Sequence, residues 1–583
     1  MPGIYGYIKQ KKEDDQLIQM TEKLYHHKHF VKDDDFNDDI FQASHLHLGK
    51  MKKDINAFNK DGIYISIEGE QYDYKNVAFE GLIYEAYTQD NLETFLNKLD
   101  GYFNAVIYDS NIKKVFLISD RYGMRMLYYY CKDGRFAFSG EVKGLLGLDF
   151  VDGSIESKQI DCFMDLGYFL EDNTWHKHVK LIKPATIMEF DIDSKTLAQK
   201  YYWKWSEIKS QNISFDEAVN KLGKLFVSAV GKRFNPNDKV GVALSGGLDS
   251  RAIFAAVNKL YPSFKGYAYT FGISNCDDIT IAKQCIAKTN WKHEEFYFRS
   301  INWFEPRKDK VWFTDGMLPL MHMHGSEFLD EIGGSIDFNL NGYLGDVVCG
   351  LSYIDGRKNI YNKKIEKTIA SKFYKQYVTN SWANSSFFDI KHVDPFLAMY
   401  RGRRFINFGT VNGLYKVDQR KPFFDNKVIE FLYSIPDEYR ENNKLYSAML
   451  LKFFPKFFKD IPWQKTGKTI DKNTSNGFAS EVIRKIKRIP YKVGILKDKN
   501  SYTSYKDWIR SENISRELLS LLDRNKSEYG KYTDIDFKTK YLLPHLHVRM
   551  DFSEQILRAT TIEIYFKNLV GDGAAYTRKS NFK

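Results

Sequence analysis

Cysteine is scarce and scattered in this chain. The 583 residues hold five, Cys131, Cys162, Cys276, Cys285 and Cys349. Their number is odd and no two are spaced C-x-x-C, which argues against a disulfide framework and a paired-cysteine zinc cage. No apolar run approaches the ~18 residues that a membrane helix needs. The start, MPGIYGYIKQ, lacks the basic-then-apolar layout of a secretory leader. These absences make a reducing cytoplasm the expected setting. No long tract is biased to Pro, Ser or Gln, so disorder is not expected, and no G-x-x-x-x-G-K-S/T stretch occurs, so a Walker-type phosphate loop is excluded.

What is present is apolar area. Hydrophobic residues make up 43% and aromatics 16% of a chain too long for one ordinary core, so two domains of comparable size are expected. The surplus of 86 basic over 75 acidic residues gives +11. That charge is compatible with nucleic acid, a membrane surface or phosphorylated small molecules. No strong basic tail concentrates it, and solvated faces are the default reading.

Residues 1–205 read mostly as strands. GIYISIEG, FNAVIYD, KVFLISD, RMLYYYC and RFAFSG are short, β-branched or aromatic, and separated by turn residues such as Asp133-Gly134. A two-sheet or sandwich domain follows. Near Trp203 the pattern changes to helical spacing, with Ser214 and Glu217 as a capping box ahead of Phe215, Ala218, Val219, Leu222 and Phe226. Strands and helices then alternate through VGVAL, RAIFAAVNKL, AYTFGI, DITIAKQCIAKT and IDFNLNGY, as in a parallel α/β sheet. After about residue 355 only helices and loops are expected.

The strand–loop–helix unit VGVAL-SGGLDS-RAIFAA carries the chemistry. Ser245, Gly246 and Gly247 let the backbone turn sharply and aim N–H groups and a helix N-terminus at one spot suited to a phosphate. Ser245 and Ser250 add hydroxyls, and Asp249 offers a carboxylate for a magnesium ion bridging phosphates.

SGGLDS is similar to the pyrophosphate-binding loop of the ATP pyrophosphatases, and its place after a β-rich half resembles asparagine synthetase and its relatives. LDGYFNAVIYD, VFLISDRYGMRMLYY and FSGEVKGLL resemble the later part of that family's glutaminase-type domain. LGYFLEDNTWHKHVKLIKPATIMEF and YYW resemble its connector. NLNGYLGDVVCG resembles its Gly-rich turn with an acidic metal ligand, and QRKPFFDNKVIEFLYSIPDEYR and IPWQKTGKTI its helical segment.

The resemblance implies a degenerate glutaminase-like α+β sandwich over 1–205 and an α/β parallel-sheet ATP pyrophosphatase domain with a helical C-terminal part over 206–583. It implies ATP and Mg2+ as cofactors. ATP would lie over Ser245–Ser250, with Ala243, Leu244, Phe271, Gly272 and Gly342 holding adenine and ribose. Asp249 and Asp346 would hold magnesium, and Lys465 or Lys468 would face the α-phosphate. A substrate carboxylate would become an acyl-adenylate, and an amine would then displace AMP.

Departures in both halves qualify this. Where glutamine-dependent members expose a catalytic Cys after Met removal, this chain has Pro2, which has no thiol. The expected Arg-Gly-Pro segment reads HHKHFVKDD, and the Asn-Gly-Glu turn reads Glu68-Gly69-Glu70. In the synthetase half, Tyr343 stands where asparagine synthetase has Glu, as in β-lactam synthetase-like and lasso peptide cyclase-like relatives, and is a candidate general base for the amine. Val347 stands where a second acidic residue usually follows the metal Asp. The leading expectation is an AMP-forming amide ligase that does not hydrolyse glutamine, such as a peptide macrocyclase or specialised amidoligase. The alternatives are an asparagine synthetase using aspartate and ammonia, or a non-catalytic nucleotide-binding relative. Its substrates would be small-molecule or peptide carboxylates and amines, not nucleic acid. A homo-oligomer or a partner protein from a biosynthetic cluster stays open.

Overall fold

The structure is a computed structural model that describes residues 3–51, 56–351, 394–472, 502–548 and 550–571. Pro2 lies outside the described residues.

The alternating strands of the first half form two antiparallel sheets. In the seven-stranded sheet, Gly3–Ile8 lies between Phe41–His47 and Arg135–Ser139, with Gly3 opposite Leu46. In the six-stranded sheet, Gly101–Asp109 lies between Ile63–Gln71 and Lys114–Ser119. Period-2 alternation sends Val106 and Tyr108 between the sheets, against Ile4, Phe41 and Phe138. The intervening Ala105 and Ile107 face the other way. On the same outward face, Phe103 meets Phe79 of the helix Phe79–Thr88, with ring centroids 4.9 Å apart. Helix Leu17–Leu24 covers the outer face of the first sheet, where the Tyr5 hydroxyl lies 2.8 Å from that of Thr21. All nine residues of Gly101–Asp109 are buried because both faces are covered.

The helix Phe215–Arg233 opens with the Ser214–Glu217 capping box. Beyond it, five parallel strands lie in the order Lys292–Tyr297, Tyr267–Gly272, Val240–Ala243, Phe338–Leu340 and Asp418–Arg420. The last strand corrects the expectation of helices and loops alone after residue 355. DQR is three residues long and has no apolar alternation, so only its pairing with Phe338–Leu340 marks it as a strand. Helices then predominate to Ser553–Val570, which packs on Phe304–Phe313 and Ser157–Leu166. No described helix is long and apolar enough to cross a membrane.

Buried charge joins the two halves. Arg233 reaches Asp100 at 2.8 Å and Asp425 at 2.9 Å, Arg420 reaches Glu70 at 2.8 Å, and Arg125 reaches Asp418 at 2.7 Å.

Candidate active site

The apolar strand Val240–Ala243 runs up the middle of the parallel sheet, and its carboxyl end, where such sheets bind ligands, leads into Leu244–Gly247 and the helix Leu248–Leu260. The loop amides already have partners. The Ser245 N–H donates to Ser250 Oγ at 3.1 Å, and the Gly247 N–H to Ser245 Oγ at 3.2 Å. The Gly246 N–H donates to Asp278 Oδ1 at 2.8 Å, and Gln464 Nε2 holds the other Asp278 oxygen at 2.8 Å. Burial raises the Asp278 pKa, opposed by the Gly246 hydrogen bond. A phosphate seated on these amides therefore has to displace Ser–Ser and Asp278 contacts. This differs from the open nest of N–H groups expected from SGGLDS.

Asp249 sits in the first helical turn. Its Oδ2 accepts from the Asp346 N–H at 2.9 Å and its Oδ1 from the Tyr446 hydroxyl at 2.9 Å. The approach depends on Gly345, where an added Cβ would lie 2.6 Å from the Asp249 Cγ. Burial and the Asp346 charge push the Asp249 carboxyl well above its usual range. Two carboxylates in that relation favour a cation, and each Asp249 oxygen keeps a lone pair. The residues therefore fit a magnesium ion held by Asp249 and Asp346.

A cleft of about 480 Å³ opens beside the loop. Ala243, Leu244, Ser245 and Phe271 line it, together with Lys465 and Tyr502. Lys465 lies in the field of Asp249, with its ammonium 5.2 Å from the Trp463 ring centroid. Lys468 is exposed and outside the lining, and its carbonyl accepts from the Trp463 N–H at 2.8 Å. Gly342 and Gly272 are also outside the lining: Gly342 packs on the Asp249–Ser250 backbone and Gly272 on Cys276 Sγ.

Tyr343 is buried. Its ring lies 5.0 Å from that of Phe424 and its hydroxyl stands over Gly402, and it is not among the residues lining the cleft. The ammonium of Lys421 is 5.6 Å from the Tyr343 ring centroid, and burial, then the Arg125 charge, push this lysine down to about 7. Val347 is buried as well.

In the first half, Glu68 is buried, with Oε2 at 2.7 Å from His45 Nε2 and Oε1 at 3.2 Å from Arg125. Burial would raise its pKa, but His45 and Arg125 lower it, so Glu68 is held as a carboxylate. Sequence reasoning missed Asp278, Gln464 and Tyr446. The first carried a signal, an acidic residue opening the helix after a parallel strand. The other two lie 186 and 197 positions from their partners and had none.

The profile described as glutamine amidotransferase domain matches residues 1–203, and the one described as asparagine synthase matches residues 221–330. A Methanocaldococcus jannaschii protein provisionally named glutamine-hydrolysing asparagine synthetase 2 is 25% identical over 52% of this chain and 62% of its own length. Its numbered companion 1 from the same organism is 26% identical over 65% of this chain and 64% of its own length. Glutamine-hydrolysing asparagine synthetase 1 of Bacillus subtilis is 20% identical over 76% of this chain and 82% of its own length. The chain thus spans under two thirds of the length of the two archaeal relatives.

Proposed function

The chain belongs to the asparagine synthetase family, and on that premise we propose that it is an ATP-dependent, AMP-forming amide ligase that does not use glutamine. The observation that carries the ligase reading is the Asp249–Asp346 pair beside the Ser245–Ser250 loop, at the carboxyl end of a parallel sheet and next to an open cleft. A substrate carboxylate oxygen attacks the α-phosphate of ATP, the α–β bridging bond breaks, and pyrophosphate leaves. The amine nitrogen then attacks the acyl carbon, AMP departs with the bonding pair, and the amine proton passes to a base, for which Tyr343 is the candidate.

The residues of this chain position the first step. The start of helix Leu248–Leu260 would face the phosphates, and Lys465, which lines the cleft, would meet the charge on the departing oxygens. A magnesium ion held by Asp249 and Asp346 would supply further neutralisation of pyrophosphate. That glutamine is not the nitrogen source is supported by Glu68. Its carboxylate is an acceptor only and is already paired with His45 and Arg125, so it offers no donor to the carboxylate of an incoming amino acid.

The test is product analysis with candidate carboxylates and amines, including aspartate with ammonia and peptides. AMP and pyrophosphate are expected, and ADP would refute the proposal. Asp249→Asn and Asp346→Asn should each lower turnover by a factor of about 100 or more. Near-normal turnover in either would show that the metal is held elsewhere.

A further inference from the structure

The sequence HLH at 45–47 ends the strand Phe41–His47, so His45 and His47 project from the same face. Asp33 follows the neighbouring strand Val31–Lys32, whose register sets Val31 opposite His47. Its backbone is pinned there: the Asp33 N–H donates to the His45 carbonyl at 2.9 Å, and Ser44 Oγ donates to the Asp33 carbonyl at 3.1 Å. The carboxylate lies between the two imidazoles, with Oδ1 at 2.9 Å from His47 Nε2 and Oδ2 at 3.2 Å from His45 Nδ1. One ligand atom from each of the three residues lies within 4.8 Å of the others. All three are at most 5% exposed. Among the described residues this is the one cluster of its kind.

We infer that Asp33, His45 and His47 bind one divalent transition-metal ion such as zinc, in the half of the chain that takes no part in the ATP chemistry. Two imidazoles and a carboxylate are a donor set that zinc accepts, with bonds of about 2.0–2.2 Å. Ligands around a tetrahedral ion with such bonds lie about 3.3–3.6 Å apart, so side-chain shifts of about 1 Å close the site. His45 also has the outer partner that metal-bound histidines use: when Nδ1 ligates, Nε2–H donates to Glu68. Glu68 is in turn held by Arg125, and Arg125 by Asp418 of the other half. Without an ion both His45 nitrogens face carboxylates, so a cation is favoured at this spot in either case. Ligation by His47 Nε2 moves its proton to Nδ1. The Gly49 N–H now donates to Nδ1 at 2.9 Å, and it has to turn away. Gly49 stands at φ +67° in the bend just after the strand, where peptide rotation does not break sheet pairing. Asp33 belongs to the segment HHKHFVKDD and His45 contacts Glu68, so the site touches both places where the sequence departs from the glutaminase pattern. The inference is independent of the proposed ligase activity.

The full-length protein is stripped with a chelator and titrated with zinc against a chromophoric competitor, and separately with cobalt(II) to record its d–d absorption. With excess magnesium present to occupy the Asp249–Asp346 site, one zinc or cobalt ion per chain is expected, with a low-coordinate cobalt spectrum. His47→Gln should weaken binding by at least about 100-fold and Glu68→Gln by about 10–100-fold, whereas Asp346→Asn should leave it unchanged. Wild-type protein that holds no zinc at micromolar free metal overturns the inference, whatever the variants do. Binding that survives His47→Gln, or that is lost in Asp346→Asn, also overturns it, the latter by placing the ion at the ATP site.

Discussion

Replacing Arg233 with Met should loosen the interface between the two halves. The guanidinium contacts both Asp100 oxygens at 2.8 and 2.9 Å and Asp425 Oδ2 at 2.9 Å. Its Nε donates to the Tyr102 hydroxyl at 3.2 Å. Arg233, Asp100 and Asp425 are each no more than 2% exposed, and the nearest other cation, Lys232, stays 3.7 and 3.8 Å from the two carboxylates. Met fills similar volume, but it leaves two buried carboxylates facing each other, a loss of about 3–5 kcal/mol. At 1.4 kcal/mol per tenfold, local opening of the interface should rise between about a hundred- and a few-thousand-fold. A single melting temperature is poorly defined for a chain of this size, so the assay is native-state amide exchange. The probes are Asn426 and Val428, whose N–H groups donate to Asp100 Oδ1 and Asp425 Oδ1. Adding Asp100→Asn and Asp425→Asn to Arg233→Met should recover most of the protection, because the uncompensated charge is gone and Asn still caps the helix Asn426–Ser434. Acceleration of less than tenfold in the single variant, or no recovery in the triple variant, would refute the electrostatic argument.

Three further outcomes are expected. Glutamate release from glutamine should be absent from the wild type with or without ATP, and absent from Pro2→Cys as well, because Glu68 still stands where the amide turn is expected; release at enzymatic rates by either protein would contradict this. Tyr343→Phe should slow amide formation while leaving pyrophosphate–ATP exchange nearly intact, and equal loss in both would assign Tyr343 to packing against Phe424. Lys421, held down to about 7 by burial and Arg125 against an ordinary value of about 10.4, disfavours the folded state when protonated. This destabilisation is full below about pH 7 and fades as pH rises toward 10. Lys421→Met should therefore raise thermal resistance more at pH 7 than at pH 10, and a gain independent of pH would show that the lysine is not titrating in the fold.

Local chemistry made much of this protein legible. The β-branched and aromatic run FNAVIYD predicts a strand, the Ser214–Glu217 pair predicts where a helix starts, and SGGLDS predicts a sharp turn between an apolar strand and a helix. These are short-range rules of sterics and hydrogen bonding, and they hold wherever the chain folds. The departures from the glutaminase pattern on which the proposal rests were legible too, since a thiol, an Arg-Gly-Pro segment and an amide turn are either written in a sequence or replaced.

Tertiary structure decided what no local rule carries. Asp278 closes the Gly246 amide from 32 positions away. Tyr446 holds Asp249, and a three-residue strand at 418–420 becomes the sheet edge that places Lys421 under Tyr343. His45, His47 and Asp33 read as ordinary polar residues until strand register brings them to one point and burial removes the water that would otherwise separate them. The physical reason is common to all of these: a charged or polar side chain commits to a partner when folding desolvates it, and that partner is set by the packing of distant segments rather than by its neighbours in the chain.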